Sequence, residues 1–307
     1  MSGRRARAGG AALVIAMLLA ALAAAVTVAL ATGQERWRAM VMHRRDQVQA
    51  EALAQAGVQW ARSVVDDDAK TSSIDTLNEV WALPLPATPV ANGSIEGHIT
   101  DAQGLLNLNN LAIDGTTAAT ARAQLTSLFT TIGVAPGVLD AIADSVDSDD
   151  SARAGGAEDA FYARATPPRV TPDAPALRVA EFAATRGITP AMLRAMADFV
   201  TALPPPTTLN VNTAPAEVLM AALPGLDRDG ATALVAGRQS KPFTTVAELR
   251  ARLPSSATIV DERAFSVNSG YFLVSVDALQ GETRVRARAL LQRSLGKPAS
   301  IVWQVIE

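Results

Sequence analysis

An acidic segment between residues 144 and 159 has the side chains best suited to chemistry. Six carboxylates are interspersed with serine and glycine, in the order Asp144, Asp147, Asp149, Asp150, Glu158 and Asp159. Closely spaced carboxylates on a flexible chain offer the oxygen ligands that Ca²⁺ prefers. The spacing does not match an EF-hand loop, which needs a glycine at the sixth position and a glutamate at the twelfth. The pattern alone therefore leaves two interpretations open, a calcium site and a solvated acidic loop.

Other kinds of reactive site have little support in this chain. It contains no cysteine, which excludes disulfides and thiolate chemistry, and its two histidines are His43 and His98. The sequence has no Gly-x-Ser-x-Gly, Walker A or dinucleotide-binding motif. We therefore expect a protein that is not an enzyme, with a membrane-anchored periplasmic enzyme as the weakest alternative.

A helical unit at 209–253 resembles a helix-hairpin-helix module of the kind found in competence and repair proteins. Such modules offer backbone N–H groups of a Gly-x-Gly hairpin to DNA phosphate at the start of a helix. Here Asp227 replaces the second glycine of the hairpin, and Asp229 follows it. Two carboxylates at this place repel phosphate. We therefore expect a packing role for the unit and no binding of nucleic acid.

Two asparagine motifs flank the central part of the chain. They read Asn107-Leu108-Asn109-Asn110 and Asn210-Val211-Asn212-Thr213. The side-chain oxygen of asparagine accepts backbone N–H groups, which favours this residue at helix N-caps and turns. We expect both motifs to have structural capping roles.

The N-terminal region accounts for most of the apolar excess that gives the chain a mean hydropathy of +0.17. Residues 11–32 contain no charged side chain. As a helix they would cover about 33 Å, against about 30 Å for the core of a bilayer. Arg4, Arg5 and Arg7 precede them, and this basic flank predicts a cytoplasmic N-terminus and an exported remainder. A removed signal peptide is the alternative, although its apolar region would span only about 7–15 residues.

The apolar segment continues into an amphipathic stretch, so that residues 11–65 are predicted to form one helix. Apolar side chains recur there at steps near multiples of 3.6 residues, with Arg, Glu and Gln between them. This periodicity predicts that the outer half of the helix packs against the exported domain. The residues of the predicted packing face are Trp37, Val41, Val48, Ala52, Ala56, Trp60 and Val64.

The remainder predicts an α+β fold in which a helical domain interrupts an antiparallel sheet. From about residue 264 the apolar period changes to two, which predicts a meander of three strands. Before it the sequence predicts a proline-punctuated loop at 84–89, a strand at 94–100, helices at 117–129, 136–146 and 190–203, and the helical unit at 209–253. The resulting domains are an α+β core formed by 66–112 with 256–307, and an inserted α-helical domain at 113–255.

A short basic leader that ends in Gly10 and runs directly into a long apolar helix resembles type IV pilins and pseudopilins. The resemblance implies that a prepilin peptidase cleaves between Gly10 and Ala11 and methylates the new N-terminus at Ala11. Cleavage would remove three arginines and shift the formal net charge from −3 to −6. Most pilins have Glu as the fifth mature residue, where this chain has Ile15. The implied partner of that Glu is the N-terminal amine of a neighbouring subunit, a tie that this chain lacks.

An ordered set of motifs resembles the general secretion pathway protein K family, the large minor pseudopilins of type II secretion systems. The set reads DAQGLLNLNNL, VDSDD, GGAEDAFY, LNVNTAPAEVL and KPFTTVAELR. In this family the fifth mature residue is not Glu, which agrees with Ile15. The resemblance implies a pilin-like antiparallel sheet with a large inserted α-helical domain that binds structural Ca²⁺. It transfers the ligand roles to Asp147, Asp149, Glu158 and Asp159.

The resemblance further implies a minor pseudopilin at the tip of the type II secretion pseudopilus. Such a subunit would nucleate assembly with other minor pseudopilins through the helix between Trp37 and Val64, contact the major pseudopilin below, and support export across the outer membrane. Its inserted domain would block the addition of a subunit above it. The implied location is the inner membrane, with one span, a cytoplasmic N-terminus and a periplasmic C-terminal domain. The alternative is a membrane-anchored helix-hairpin-helix protein that handles DNA in a competence or type IV pilus system.

Overall fold

The computed structural model describes residues 8–113, 115–294 and 296–307. A long helix, a five-stranded antiparallel sheet and a helical insertion make up the fold, which confirms the predicted α+β class. The α-helices are α1 (Ala8–Asp68), α2 (Thr116–Thr131), α3 (Val138–Val146), α4 (Asp159–Tyr162), α5 (Pro190–Met196), α6 (Ala216–Ala222), α7 (Arg228–Ser240) and α8 (Val246–Arg252). The strands are β1 (Leu85–Val90), β2 (Gly93–Asp101), β3 (Leu106–Asn107), β4 (Val200–Thr201), β5 (Leu209–Asn210), β6 (Phe265–Ser266), β7 (Tyr271–Gln280), β8 (Thr283–Ser294) and β9 (Lys297–Ile306).

Helix α1 is a single element of 61 residues, about 92 Å long at 1.5 Å per residue. It contains a window of 18 residues with a mean hydropathy of 2.8, none of them buried in the chain's own fold. Its length and composition are sufficient to cross a bilayer. The prediction of one helix over 11–65 is confirmed, whereas the three leader arginines lie outside the described residues.

The main sheet has the strand order β1-β2-β7-β8-β9, with every neighbouring pair antiparallel. The strand predicted at 94–100 lies within β2, and the predicted meander forms β7, β8 and β9. The loop predicted at 84–89 is wrong, because most of this segment is β1. Proline is tolerated there because β1 is an edge strand and pairs on one side only.

The outer half of α1 packs on one face of this sheet through small side chains. A Cβ at Gly57 would lie 2.7 Å from Val276 Cγ1, so only glycine permits the close approach of helix and sheet at this point. The other residues of the packing face are buried and are either alanine or valine: Ala50, Ala54, Val58, Ala61 and Val65.

The predicted packing face of α1 is wrong except at Val64, which packs against the core between helix and sheet. Its large side chains Trp37, Val41, Val48 and Trp60 are between 48 % and 65 % exposed, and Val64 is half-buried. The buried set is offset from the predicted set by two residues, or about 200° around the helix, because the sheet admits only small side chains at this distance. We call the exposed set the outer stripe: Trp37, Val41, Val48, Ala52, Ala56 and Trp60.

The insertion, residues 102–270, leaves and re-enters the sheet between two paired strands. Asp101 at the end of β2 is the register partner of Phe272 near the start of β7. At the same end of the sheet, Arg293 of β8 contacts the last residue of α1. At the opposite end, the hydroxyl oxygen of Thr283 lies 3.3 Å from Nδ1 of His43. His43 is nearer than Asp68 to the apolar segment of α1. The insertion therefore lies at the end of the sheet farthest from residues 11–32.

The insertion has its own hydrophobic core, in which Phe129 and Leu219 are fully buried. Leu106 and Phe265 belong to the same core, so it extends beyond residues 113 and 255 at both ends. Helices α2 and α3 lie close to the predicted positions, and α6, α7 and α8 form the helical unit predicted at 209–253. The helix predicted at 190–203 is shorter, because it ends at Met196 and the chain then forms β4, parallel to β3.

The asparagine motifs connect distant segments of the insertion. Asn109 accepts a hydrogen bond from the N–H of Ala176 at 3.0 Å and donates to its carbonyl at 2.8 Å. Asn212 makes the same pair of bonds with Phe243, at 2.8 and 2.9 Å. The capping prediction is partly right, since Asn107 caps the 3₁₀ helix Leu108–Ala112 by accepting from the N–H of Asn109. Both motifs are structural, but their main bonds cross the fold.

A buried polar junction at Asp101 ties the insertion to the sheet. Its Oδ2 accepts hydrogen bonds from the hydroxyls of Ser269 and Thr213, each at 2.6 Å, and from Asn210 Nδ2 at 2.9 Å. Gln103 donates its N–H to Oδ1 at 2.8 Å. Because a buried carboxylate is costly without donors, this junction fixes the place where the insertion meets β2.

Candidate metal centre

The acidic segment connects the end of α3 to the start of α4, and several of its carboxylates are buried. The apolar side chains of α3 are buried in the insertion core, so its last turn brings acidic residues into the interior. Asp144, Asp147 and Glu158 are 0 %, 8 % and 5 % exposed. A buried carboxylate needs hydrogen-bond donors or a cation nearby. The segment is therefore more than a solvated loop.

Arg153 supplies a cation to two of these carboxylates. Its Nη1 lies 2.6 Å from Asp144 Oδ1 and 2.5 Å from Asp147 Oδ2, and its backbone N–H donates to Asp144 Oδ2 at 3.1 Å. The backbone at Gly156 approaches so closely that a Cβ there would lie 1.8 Å from Asp144 Oδ2. Residues 153–156 thus enclose the Asp144 carboxylate.

Four carboxylate oxygens in this region are buried and accept no hydrogen bond within the described part of the chain. They belong to Asp147 (Oδ1), Glu158 (both oxygens) and Asp173 (Oδ1). Burial, together with the negative charge of Asp144, raises the pKa of Glu158 to about 7. Burial and the charge of Asp159 also raise the pKa of Asp173. The result is a region of uncompensated negative potential that a bound cation would stabilise.

The structure brings the predicted ligands together only in part. Asp147 and Glu158 contribute buried oxygens to the region. Asp159 is half-buried at its edge, where Oδ1 accepts from the N–H and the hydroxyl of Thr171, at 2.7 and 3.0 Å. Asp149 is exposed, and its Oδ1 accepts from the N–H of Ser151 at 2.8 Å. The sequence analysis does not predict Asp173 as a ligand, because a proline-containing stretch separates it from the acidic segment. Its carboxylate is the only feature in the sequence that suggests a ligand.

The all-oxygen donor set fits a hard cation such as Ca²⁺, which takes six to eight oxygen ligands. The donor atoms are therefore of the kind that the predicted ion takes, and calcium binding stays a prediction. Among the described residues, however, the predicted calcium ligands do not form a group of three acids whose oxygens all lie within 4.8 Å of one another. Within residues 8–113, 115–294 and 296–307, the acids that form such a group are instead Asp68, Asp75 and Glu79.

That second acidic group is a structural link between α1 and β8. Arg293 Nη1 lies 2.9 Å from Asp68 Oδ2, and its Nη2 lies 2.6 Å from Asp75 Oδ1. Glu79 Oε2 accepts from the indole N–H of Trp81 at 2.9 Å. Burial, then the charges of Glu79 and Asp75, raises the pKa of Asp68 to about 6. Because an arginine already supplies the positive charge, this group is a poor candidate for a metal site.

The predicted processing position lies in the first turns of α1, where Gly10 and Ala11 are both exposed. Ile15, one turn later, is 57 % exposed. It places an apolar side chain at the position where most pilins have a glutamate. Cleavage and N-methylation at Gly10 and Ala11 remain predictions.

The hairpin Pro224–Asp227 joins α6 to α7. Asp227 Oδ1 accepts from the N–H of Gly230 at 2.8 Å and caps α7. This bond uses a donor at the helix start that a DNA phosphate would need. The geometry favours the packing interpretation of the helical unit.

Comparisons of the chain with known proteins all identify the same family. Two family models, both described as type II secretion system (T2SS), protein K, match residues 104–205 and 209–268, together more than half of the chain. The type II secretion system protein K of Aeromonas hydrophila is 29 % identical over 264 residues, which cover 79 % of each chain. That of Pseudomonas aeruginosa is 28 % identical over 307 residues, which cover 95 % of this chain and 90 % of the relative.

A solved structure has the same fold. It is a chain in the crystal structure of the GspK–GspI–GspJ complex from the enterotoxigenic Escherichia coli type 2 secretion system. The TM-score is 0.76 at 24 % sequence identity, and the match covers 87 % of this chain and 99 % of the other. The fold of most of this chain is therefore an arrangement already observed in a solved protein.

Proposed function

Because this chain belongs to the type II secretion system protein K family, which consists of minor pseudopilins, we propose that it forms the tip of the secretion pseudopilus. In this role it nucleates assembly with other minor pseudopilins, contacts the major pseudopilin below, and supports protein export across the outer membrane. The observation that carries the proposal is the outer stripe of α1, whose large apolar side chains are left exposed by the chain's own sheet.

The outer stripe has the composition of an interface. Trp37, Val41, Val48 and Trp60 expose between 48 % and 65 % of their surface, and clustered exposed apolar side chains mark interaction sites. The stripe runs along the same helix as the apolar segment, so a second amphipathic helix from a membrane-anchored partner can pack along it. The related E. coli chain occurs in a complex with GspI and GspJ, and we propose the corresponding minor pseudopilins as partners here.

The location of the insertion supports the tip position. It lies at the end of the sheet farthest from residues 11–32, where a subunit added above would collide with it. Ile15 contributes a second argument. A carboxylate at this position would tie the subunit to the N-terminal amine of a neighbour, and an isoleucine has no such bond to offer.

The N-terminal region anchors the proposed tip in the inner membrane. Residues 11–32 span the bilayer once, the leader stays cytoplasmic and the sheet and insertion are periplasmic. A prepilin peptidase cleaves between Gly10 and Ala11 and methylates Ala11. The absence of charge in 11–32 supports the span.

Calcium is the proposed structural ion of the insertion. Asp147, Asp149, Glu158 and Asp159 are the proposed ligands, and the buried oxygen of Asp173 adds a fifth. The unpartnered oxygens of Asp147, Glu158 and Asp173 support this assignment. When bound, the ion would compensate the negative charge that Arg153 leaves unbalanced and would hold the segment between α3 and α4 in place.

Two substitutions in the outer stripe test the assembly proposal, Val41→Arg and Val48→Arg. Both residues are exposed, so the variants should fold and melt like the wild type. A charge on the stripe should abolish copurification with the other minor pseudopilins from detergent-solubilised membranes and reduce secretion at least tenfold. Val260→Arg, at a 73 % exposed valine of the insertion, is the matched control. Wild-type copurification by both stripe variants would contradict the proposal.

A further inference from the structure

A cleft between α7 and α8 contains a buried guanidinium that has no carboxylate partner. Arg238, near the end of α7, is only 6 % exposed. Its Nη1 donates to the carbonyl of Val211 at 2.7 Å. No Asp or Glu oxygen in the described part of the chain lies within 4.0 Å of this guanidinium. Burial lowers its pKa to about 10, so Arg238 remains charged at neutral pH.

The surroundings of Arg238 are mostly apolar. It lines a cleft of about 320 Å³ together with Leu234, Phe243, Arg252 and Leu253. Arg252 stacks on the ring of Phe243, with its Cζ 4.6 Å from the ring centroid, and pairs with Glu248 at 3.4 Å. Two arginines thus line an apolar cleft, and in the described part of the chain only Arg252 pairs with a carboxylate.

We propose that this cleft binds a carboxylate carried by an apolar group, as at the end of a polypeptide that terminates in an apolar residue. A guanidinium presents paired N–H groups that match a carboxylate. A buried charge without a counter-ion costs free energy, so an anion that pairs with Arg238 recovers part of that cost. The apolar wall accommodates the group attached to the carboxylate.

The rim of the cleft disfavours nucleic acid as the source of the anion. Asp227 caps α7 by accepting from Gly230, and Gly230 lines the cleft. Asp229 lies in the first turn of the same helix. A chain of phosphates would meet these carboxylates, whereas a single carboxylate on an apolar group need not.

A purely structural role of Arg238 is the competing explanation, because its bond to Val211 fixes the segment between Asn210 and Asn212. Gly237→Leu separates the two explanations. Gly237 lines the cleft, and a Cβ at this position meets no atom within 4 Å. Leucine at 237 would fill the cleft and leave Arg238 and its bond to Val211 intact. Leucine also has a higher helix propensity than glycine, so this variant should melt at or above the wild-type temperature.

The experiment uses the full chain in a non-ionic detergent at constant ionic strength. The probe is N-acetylleucine, and its Kd is obtained from the concentration dependence of the melting temperature. N-acetylleucinamide has the same apolar group without the charge, and inorganic phosphate and a short DNA duplex supply other anions. The variants are Gly237→Leu and Arg238→Gln, with Arg194→Gln as the control at an exposed arginine of the insertion.

We expect N-acetylleucine to stabilise the wild type and Arg194→Gln equally, with an affinity at least tenfold higher than that of the amide or of phosphate. Gly237→Leu and Arg238→Gln should each bind at least tenfold more weakly. The proposal is overturned if N-acetylleucine produces no shift, if the amide binds as well, or if Gly237→Leu binds like the wild type. Stronger stabilisation by the DNA duplex would overturn it in favour of a nucleic-acid site.

Discussion

The Asp144 carboxylate is fully buried and is enclosed by one short stretch of chain. Arg153 contacts it with its guanidinium and its backbone N–H, and Gly156 packs against Oδ2. A buried ion pair is sensitive to the loss of one partner, because the remaining charge is left without compensation. The stability of the segment between α3 and α4 therefore depends on the close packing around the Asp144 carboxylate, which leaves no room for a side chain at residue 156.

Gly156→Ala should destabilise the protein by roughly 1–3 kcal/mol, the usual cost of overpacking. The new methyl group would lie 1.8 Å from Asp144 Oδ2 and would push the carboxylate away from Arg153. Urea denaturation of the full chain in detergent measures the effect. Gly137→Ala is the control, since a Cβ there has no neighbour within 4 Å. Equal stability of the two variants would show that the enclosure of Asp144 is looser than described.

If Ca²⁺ occupies the proposed site, its removal should lower the melting temperature of the wild type, because the buried oxygens of Asp147 and Glu158 would then lack a counter-ion. A ligand present at 100 times its Kd stabilises by about 2.7 kcal/mol. Asp147→Ala combined with Glu158→Ala should abolish the response to a calcium chelator in thermal melting. Asp229→Ala combined with Glu282→Ala removes two exposed acids and should respond like the wild type. A wild-type melting curve that the chelator leaves unchanged would return the segment to a metal-free role.

At the scale of elements, α1 and β8 are joined at the distal end of the sheet by Arg293. This residue is 11 % exposed in its side chain and bonds Asp68 of α1 and the fully enclosed Asp75. The pKa of Asp68 is raised to about 6 by burial and by the charges of Glu79 and Asp75. The folded protein therefore binds a proton at Asp68 more tightly than the unfolded chain does.

This raised pKa predicts a pH-dependent contribution of Asp68 to stability. The contribution is fully present below about pH 4 and is lost as the pH rises through about 6, by at most about 3 kcal/mol. The difference in unfolding free energy between the wild type and Asp68→Asn should fall across this window and then stay constant. Urea denaturation at a series of pH values measures it, with Asp67→Asn as the control for charge removal at the helix end. A constant difference from pH 4 to 7 would contradict the assignment.

The elements were predictable from sequence where one periodicity dominates. The long helix and the meander of β7, β8 and β9 follow from apolar periods of 3.6 and 2. The strand β1 was not predictable from its prolines, because only the finished sheet shows that this strand lies at an edge. The packing face of α1 was misassigned because large apolar residues were expected to be buried, whereas the close contact at Gly57 requires small ones.

The sequence predicts which acidic residues form part of the candidate site, but it does not predict their burial or their contacts. The acidic segment is visible in the sequence, but the burial of Glu158 depends on how α3 and α4 pack. Asp173 joins the site through tertiary structure alone. The same holds for Asn109 and Asn212, whose partners Ala176 and Phe243 lie 67 and 31 residues away along the chain.

At the scale of the whole molecule, the chain leaves the sheet for the insertion and returns to it at one pair of neighbouring strand ends. Since Asp101 and Phe272 are register partners, replacing residues 103–270 by a short turn would leave β2 and β7 paired. This variant should still enter the complex through α1, but pseudopili should be longer and secretion should fall at least tenfold. Electron microscopy of pseudopili and an assay of exported protein measure the two effects. Wild-type length together with wild-type secretion would exclude a capping role for the insertion.

The outer stripe has a consequence for the free subunit if the proposed anchoring and assembly hold. A newly inserted chain would then present Trp37 and Trp60 to water until a partner covers them. Exposed apolar surface of this kind promotes aggregation. Cellular levels of the chain should therefore follow the supply of its partners, so that the quality-control machinery would keep the subunits in balance without any dedicated regulator.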